Sequence, residues 1–490
     1  MNKQVDVVIV GAGPVGLLLA IELKLGGVSV LVLERLDAPS RDVKGTSVGP
    51  LGAEALQRRG MGQALAEAED RAFAARGPAG AGMKAQALRS RGHFSALPLK
   101  SDTERERRMM WVDQQGLEAI LSARAAALDI DVRRGCEVTG FEQFDVGISV
   151  QWTSPAGPDQ MHCAWLVGCD GGRSLVRKMA GFAFPGTPPS VTMYQAMLDL
   201  DHPERLPRGA TRTMEGAVMN GPRPRWLAMH DFSGPPADRE APVTREEIES
   251  VLRRISGADV RVTGIDQANR FSDSARLVDT YRRGRVLLAG DAAHVHAPLG
   301  GQGLSLGLGD AANLGWRLAA IIRGEKPDSL LDSYTAERRP VAQAVLANTL
   351  AQIALARPDP HSIALRDIFA KLLALDDVND LIEGLTSGLA MRYDLGAEQD
   401  MVGRLVGDLP IQSGASLFAE MGSGDGILLD ASADARPTDL AAGFARLRCL
   451  PIESGPSMLI RPDGCIAWAG DAGDVEGLAE ALEHWFAPRS

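Results

Sequence analysis

This 490-residue sequence is poor in cysteine, with only Cys136, Cys163, Cys169, Cys449 and Cys465. The five are widely spaced and form no Cys-x-x-Cys pair, which excludes a dithiol redox centre and leaves free thiols in a reducing compartment as the expectation. No apolar run approaches the roughly 18 residues a membrane helix needs. Basic residues are outnumbered, 52 against 63 acidic ones for a formal charge of -11. No basic cluster interleaved with aromatics offsets that balance, so no nucleic-acid partner is expected. His294 and His296 are the one close histidine pair and have no third ligand nearby in sequence, so no metal site is expected. The polar start runs directly into Val5–Val10 without a charged leader or cleavage site, which points to the cytoplasm. Tyrosine is scarce, four residues against sixteen methionines, so a ligand pocket here would rely on flexible apolar side chains.

What is present is a chain too long for one core, so two or three packed units are expected. Its opening reads strand, Gly-rich turn, helix, strand: Val5–Val10, Gly11 to Gly16, an apolar stretch to Leu25, then Ser29–Leu33. That is a βαβ unit. A Gly/Ala/Arg-rich excursion follows from Gly77 to Gly92, and a proline-rich region of short strand-like runs, with a polar helix at Thr244–Ile255, suggests a separate sheet. The strand Arg285–Ala289 and a long helix at Leu304–Ile322 return to the first unit. Near the end, Met458–Trp468 reads as a hairpin around Pro-Asp-Gly, closed by the helix Val475–Phe486. The expected fold is α/β: a Rossmann-like FAD-binding domain (1–76, 103–184 and 266–394, the last with a helical segment), a β-sheet substrate domain (185–265, with 77–102 as its outlying segment), and a C-terminal thioredoxin-like domain (395–490).

Gly11, Gly13 and Gly16 form GxGxxG, with Pro14 and Val15 inside it, between a strand and a helix. There the backbone can turn tightly and present N–H groups to a pyrophosphate. Glu34, at the end of the next strand and followed by Arg35, is placed to accept hydrogen bonds from an adenosine ribose. The fingerprint alone does not separate FAD from NAD. The second Gly-rich segment does, running from Gly290-Asp291 through His294, His296, Pro298, Leu299, Gly300, Gly301, Gln302 and Gly303 to Leu304. An acid at a strand end and a glycine cluster opening a helix can hold a ribityl chain and set helix N–H groups at a flavin ring.

Gly11–Gly16, Gly168-Cys-Asp170-Gly171-Gly172-Arg173-Ser174 and Gly290–Gly303 resemble, in order and spacing, the three motifs of class A flavoprotein aromatic hydroxylases of the para-hydroxybenzoate hydroxylase fold. The similarity extends through Asp310-Ala-Ala-Asn313, Tyr334-Thr-Ala-Glu337-Arg338 and Ile460-Arg-Pro-Asp-Gly464 to the thioredoxin-like domain of polyketide-tailoring hydroxylases, including angucycline ones. The resemblance implies an NAD(P)H-consuming, FAD-dependent monooxygenase that hydroxylates an aromatic, polycyclic substrate with O₂ through a flavin C4a-hydroperoxide. It further implies Glu34 on the adenosine ribose, Gln114 beside the flavin, Asp170 and Gly171 serving FAD and transiently bound NAD(P)H, and Asp291 on the ribityl or diphosphate region. Pro298, Leu299 and Gly300 would line the reacting ring edge. The run around His230, with Trp226, Met229 and Phe232, is a candidate substrate wall, against ordinary sheet packing. A homodimer is a further expectation.

Three features depart from the family pattern. Lys44 is the only cation left where relatives carry an Arg-rich stretch; Ser305 replaces an asparagine expected to touch the flavin; and the C-terminal domain lacks redox cysteines, so Cys449 and Cys465 are expected to be buried thiols. A Baeyer–Villiger oxygenase of the same fold and a non-catalytic flavin-fold binding protein are the alternatives. No Trp-x-Trp-x-Ile-Pro motif supports a halogenase.

Overall fold

A computed structural model of the chain describes residues 4–40, 45–77, 80–100, 106–221, 225–236, 238, 241–432 and 436–489. Lys44 lies outside them. The chain opens with β1 (Gln4–Val10), α1 (Pro14–Leu25) and β2 (Val30–Glu34), then α2 (Pro50–Gln57) and α3 (Gln114–Ala127). From α3 it passes to β3 (Asp131–Arg134), the antiparallel run β4 (Glu137–Phe144), β5 (Gly147–Ser154) and β6 (Gly157–Gly168), and the short helix α4 (Leu175–Met179). It leaves for a second sheet, made by β7 (Thr192–Leu200), β8 (Gly209–Arg212), β9 (Gly216–Asn220), β10 (Trp226–Asp231) and β11 (Val262–Ser272), with α5 (Arg245–Ser256) between the last two. It returns through β12 (Arg282–Arg283), β13 (Val286–Leu288), α6 (Gln302–Ile322) and α7 (Asp332–Ala356).

The first sheet has eight strands in the order β12-β13-β6-β1-β2-β3, with β4 and β5 joined at β6. Its centre is parallel: β1 pairs with β2 and β6, and β13 pairs with β6. Parallel strands are covered on both faces and read as continuous apolar runs, which is why Val7–Val10 and Leu31–Leu33 are all buried. On one face α1 packs against α3 and α6. A side chain at Gly315 of α6 would stand 2.3 Å from the Glu22 Cβ of α1, so a glycine there is what lets the two helices meet.

The second sheet, in the order β8-β9-β10-β7-β11, is antiparallel throughout. Antiparallel strands alternate their faces. One face carries Tyr194, Ala196, Val218, Leu227 and Met229 onto Ile248, Val251, Leu252 and Ile255 of α5. Thr244 caps α5 by accepting the N–H of Glu247, and Gly257 ends it in the left-handed region. The opposite face is turned toward the first sheet's loops.

Past α7 come α8 (Pro360–Leu372) and α9 (Asp376–Ser387), and then a four-stranded sheet. Its strands are β14 (Gly426–Asp430), β15 (Leu447–Pro451), β16 (Ser457–Ile460) and β17 (Ile466–Gly470), ordered β15-β14-β16-β17 and backed by α10 (Leu478–Trp485). The β16–β17 turn enters the first unit as a buried charged plug. Glu337 of α7 accepts hydrogen bonds from Arg461 through both oxygens at 2.8 Å, from Arg317 of α6 at 2.5 Å and from Asn313 at 2.8 Å. Asp463 accepts from Arg461 at 2.7 Å. Arg461 and Arg317 are 0% exposed and lie over the Trp316 and Trp485 rings. A second plug joins Arg59 to Glu22 and to the carbonyls of Met421 and Pro462. Cys465 is buried as expected. Cys449 is only partly so, its thiol 3.2 Å from the Thr438 hydroxyl at the sheet's edge, which corrects the expectation for it.

Candidate active site

Between the two large sheets lies a cavity of about 1770 Å³. Pockets that hold one small molecule are usually roughly 300–1,000 Å³, so this one has space for a dinucleotide and a second ligand. Its first end is the βαβ turn. Gly11 has φ +106°, and a Cβ there would stand 2.4 Å from the Cys169 carbonyl oxygen. At Gly16 the added atom would meet the Gly11 carbonyl oxygen at 2.0 Å. At Gly13 it would meet nothing within 4 Å. The first two glycines are therefore required by the fold, whereas Gly13 keeps the α1 N-terminus bare toward the cavity. No side chain caps that terminus, and Pro14 follows it. Glu34 accepts the Ala12 N–H at 2.8 Å and the Leu36 N–H at 2.9 Å, which fixes its carboxylate beside the turn. Val15 and Arg35 line the same end.

Asp170 follows β6 and caps α4, one oxygen accepting the N–H groups of Leu175 and Val176. Its other oxygen is buried without a hydrogen-bond partner. Burial raises the pKa of this carboxyl against the hydrogen bonds that lower it. Gly171 next to it has φ +81°. Asp291, after β13, is exposed to the cavity and makes no protein hydrogen bond among the described residues. An exposed carboxylate, an orphaned carboxyl oxygen and two bare helix N-termini are acceptors and donors that suit a ligand with hydroxyls and phosphates.

The second helix N-terminus is that of α6. Gly300 and Gly301 both adopt left-handed φ, +69° and +66°, and no side chain caps the helix. Pro298, Leu299, Gly300, Gly301, Gln302, Gly303 and Leu304 all line the cavity, as does Gln114 from α3, whose amide donates to Glu118 at 2.8 Å. Leu299 packs into Val191, Met193 and Ile353, a dry backing for the turn. His294 is turned the other way, 0% exposed, with Nε2 2.7 Å from Asp310. Asp310 also accepts from Gly290 and from Arg338. His294 is thus a brace for the turn. His296 lines the cavity with Nδ1 on the Ala297 carbonyl, and burial lowers its pKa. Ser305 lines the cavity and accepts the N–H of Gly49, the residue that precedes α2.

The floor of the cavity's other end is the second sheet. Trp226, Ala228 and His230 of β10 face it, along with Gln195, Met219, Asn269 and Phe271. Met229 does not: strand alternation turns it into the α5 core, where it is 1% exposed. Phe232 follows the end of β10 and packs behind Leu299. The expectation that these two touch a substrate is corrected accordingly. Sequence reading missed Arg212, Gln195 and Asn269, whose strands carry no motif, and their only signal was polar residues alternating with apolar ones. Among the described residues no cluster of His, Cys, Asp or Glu is arranged to hold a metal.

Residues 4–349 match a family described as an FAD-binding domain, and residues 399–488 match the C-terminal domain of aromatic-ring hydroxylases. The chain is 38% identical to the 12-dehydrotetracycline 5-monooxygenase/anhydrotetracycline 6-monooxygenase of Streptomyces rimosus, over 99% of each chain. The solved structure of the anhydrotetracycline hydroxylase OxyS from Streptomyces rimosus superposes with TM-score 0.88 at 37% identity, covering 100% of both chains. A dialkyldecalin synthase of Streptomyces rugosporus is also similar, 34% identical over 98% of this chain and 99% of its own.

Proposed function

The chain belongs to the FAD-binding aromatic-ring hydroxylases, and from that premise we propose that its large cavity oxygenates a polycyclic, polyketide-like aromatic compound. It is a flavin-dependent monooxygenase that uses NAD(P)H and O₂. The observation that carries the substrate reading is the joining of two chemically different ends in one cavity, a nucleotide-binding end at Gly13, Asp170 and Asp291 and a broad sheet floor at Ala228.

Bound FAD supplies the redox chemistry, accepting reducing equivalents from NAD(P)H and activating O₂. The chain's own residues bind, orient and exclude water. Glu34 and Arg35 hold the adenosine end, and the bare N-terminus of α1 at Gly13 receives the diphosphate. Asp291 binds the ribityl hydroxyls. Asp170, with its unpartnered oxygen, and Gly171 serve the diphosphate side and the passing nicotinamide. The uncapped α6 N-terminus, beginning at Gly301 and Gln302, would hold the ring system and supply it with a partial positive charge. Gln114 and Leu304, which line the same part of the cavity, would help to hold it. Pro298, Leu299 and Gly300 shape the wall where oxygen is transferred, and the apolar cluster behind Leu299 keeps water out.

Purified protein should be yellow and should consume NADPH when given anhydrotetracycline or a related polycyclic phenol, with one ¹⁸O atom from ¹⁸O₂ in the product. An ester or lactone product would signify Baeyer–Villiger insertion. Product without ¹⁸O would overturn the proposal.

The proposal extends to a homodimer. Seven of the thirteen exposed large apolar side chains among the described residues fall between Ile363 and Leu385, on and around α8 and α9, the surface such a dimer would cover. Analytical ultracentrifugation tests it. Nicotinamide dependence and five unpaired thiols fit the cytoplasm; no helix among the described residues is long and apolar enough to cross a membrane.

A further inference from the structure

The cavity floor has an internal order set by strand register. Arg212 pairs with Ala217, Ala217 with His230, His230 with Met193, and Met193 with Phe271. These five form one row across the sheet, all on the cavity face, because directly opposed residues share a face. The next row is Ala210, Met219, Ala228, Gln195 and Asn269, and the third contains Trp226 and Met197. Ala217 and Ala228 therefore make a low, flat patch flanked by taller groups.

Two of those groups carry polar atoms that the protein leaves unmatched. Trp226 Nε1 and His230 Nδ1 are buried and make no hydrogen bond among the described residues. A buried polar atom without a partner is unfavourable, and in a ligand pocket it marks where a ligand atom belongs. Both lie on β10, four residues apart with Ala228 midway, so their Cα atoms are separated by about 13 Å of extended strand. That is beyond the span of a single ring. At the His230 end stands Arg212, which meets no carboxylate in an ion pair among the described residues.

We propose that Trp226 and His230 are the two ends of a clamp that grips oxygens at opposite edges of one flat fused-ring substrate lying over Ala228, and that Arg212 makes the His230 end selective for an anionic oxygen, a phenolate, enolate or carboxylate. Trp226 donates its indole N–H. His230 is neutral at pH 7, because burial together with the charges of Arg212 and His93 brings its pKa down to about 4. It accepts or donates through Nδ1 according to the substrate's protonation, while Arg212 supplies the positive charge. Arg366, whose pKa is lowered to about 10 by burial and by Arg212, marks the same end as electropositive. This inference deepens the proposed function and rests on it. By fixing both edges, the clamp determines which ring carbon meets the wall at Leu299, so Trp226, His230 and Arg212 are specificity-determining residues.

The test uses FAD-loaded protein titrated with anhydrotetracycline, with binding followed by the flavin absorbance, and with product regiochemistry read by NMR. Trp226→Phe and His230→Leu should each weaken binding roughly five- to thirty-fold, the loss of one buried hydrogen bond, and should spread oxygenation over more than one position. Arg212→Gln should weaken binding only above the pKa of the probe's phenol or enol and leave its O-methyl ether unaffected. FAD content of each variant reports that it has folded. If wild-type protein binds and oxygenates the probe while the three variants do so with the same affinity and the same single product, the clamp is wrong and the monooxygenase reading stands. If FAD-loaded wild-type protein neither binds nor oxygenates the probe, the polycyclic substrate reading falls and the clamp falls with it.

Discussion

Replacing Glu337 with glutamine removes one negative charge from the centre of the α6–α7–β16 junction and keeps the side chain's shape. Four hydrogen bonds converge on that carboxylate, three of them from the guanidiniums of Arg317 and Arg461. In the wild-type protein two buried cations face two buried carboxylates, Glu337 and Asp463. After Glu337→Gln the same two cations share Asp463 alone, and one positive charge has no partner at a site that is 0% exposed. Breaking a buried pair from one side typically costs about 3–5 kcal/mol, a large part of the roughly 5–15 kcal/mol that holds a domain folded. Arg461 and Asp463 belong to the C-terminal unit, whereas Arg317 and Glu337 belong to the first, so the loss should appear first as undocking of that unit. Urea titration followed by tryptophan fluorescence reads it directly, because Trp316 and Trp485 stand edge to face at 6.1 Å across the junction. Trypsin should also cut after Arg392 and Arg404, at the start of that unit, faster in the variant than in wild type. Adding Arg461→Met should restore part of the lost stability, since it removes the orphaned charge. A loss under about 1 kcal/mol, typical of an exposed ion pair, or strict additivity of the two substitutions, would refute this account of the junction.

Other expectations follow from the same geometry. Gly13→Ala should fold with unchanged apo stability yet bind FAD at least tenfold more weakly, whereas Gly16→Ala, which drives a methyl into a backbone carbonyl, should cost about 1–3 kcal/mol or more; thermal melts with and without FAD separate the two. Asp291→Ala should lose most bound FAD without changing apo stability, and normal flavin content would defeat its assigned role. Glu34→Ala should reduce both FAD binding and apo stability, because its two oxygens also hold the N–H groups of Ala12 and Leu36; an unchanged apo melt would count against that dual role. The carboxyls of Glu337, Asp463 and Asp310 are held below the ordinary carboxylate range: burial raises each, and the facing arginines, with His294 for Asp310, outweigh it. A carboxylate whose folded pKa is depressed gives stability that is complete above its unfolded value, near pH 4, and is lost as pH falls toward the folded one. Acid titration by circular dichroism should show unfolding beginning below about pH 4, with a shallower pH dependence in Glu337→Gln.

The nucleotide-binding half was legible because its constraints are local. Gly11 and Gly16 are dictated by contacts within the turn itself, and Glu34 by the neighbouring N–H groups, so sequence order was enough to find them. The substrate floor was not. In Trp226-Leu-Ala-Met-His-Asp231 both faces carry apolar residues, and only the arrival of α5 decides which face is core. Trp226 and His230 took the cavity side by parity, and Met229 took the other. Arg212 lies two strands from His230, a proximity that register creates and spacing along the chain conceals. The charged plug was visible as similarity at Asn313, Glu337, Arg338 and Arg461-Pro-Asp463, but nothing local says that these segments, about 120 residues apart in the case of Glu337 and Arg461, neutralise one another. The bond from the Gly49 N–H to Ser305 was equally hidden, because the two residues lie 256 positions apart in the chain.

The order in which the ribosome releases these pieces has a consequence for how the protein matures. β1 leaves the ribosome early, but its sheet gains β13 only after roughly 280 further residues. At about 5–20 residues per second that is an interval of roughly fifteen to sixty seconds. Leu405 and Asp463, which close one side of the cofactor cavity, emerge later still. A nascent βαβ unit must therefore keep its apolar strands from neighbouring chains without help from the flavin, whose binding energy becomes available only when translation is nearly finished. Low flavin supply during expression should then leave a chain folded in parts but slow to seal, and prone to aggregate through the uncovered edge at β6.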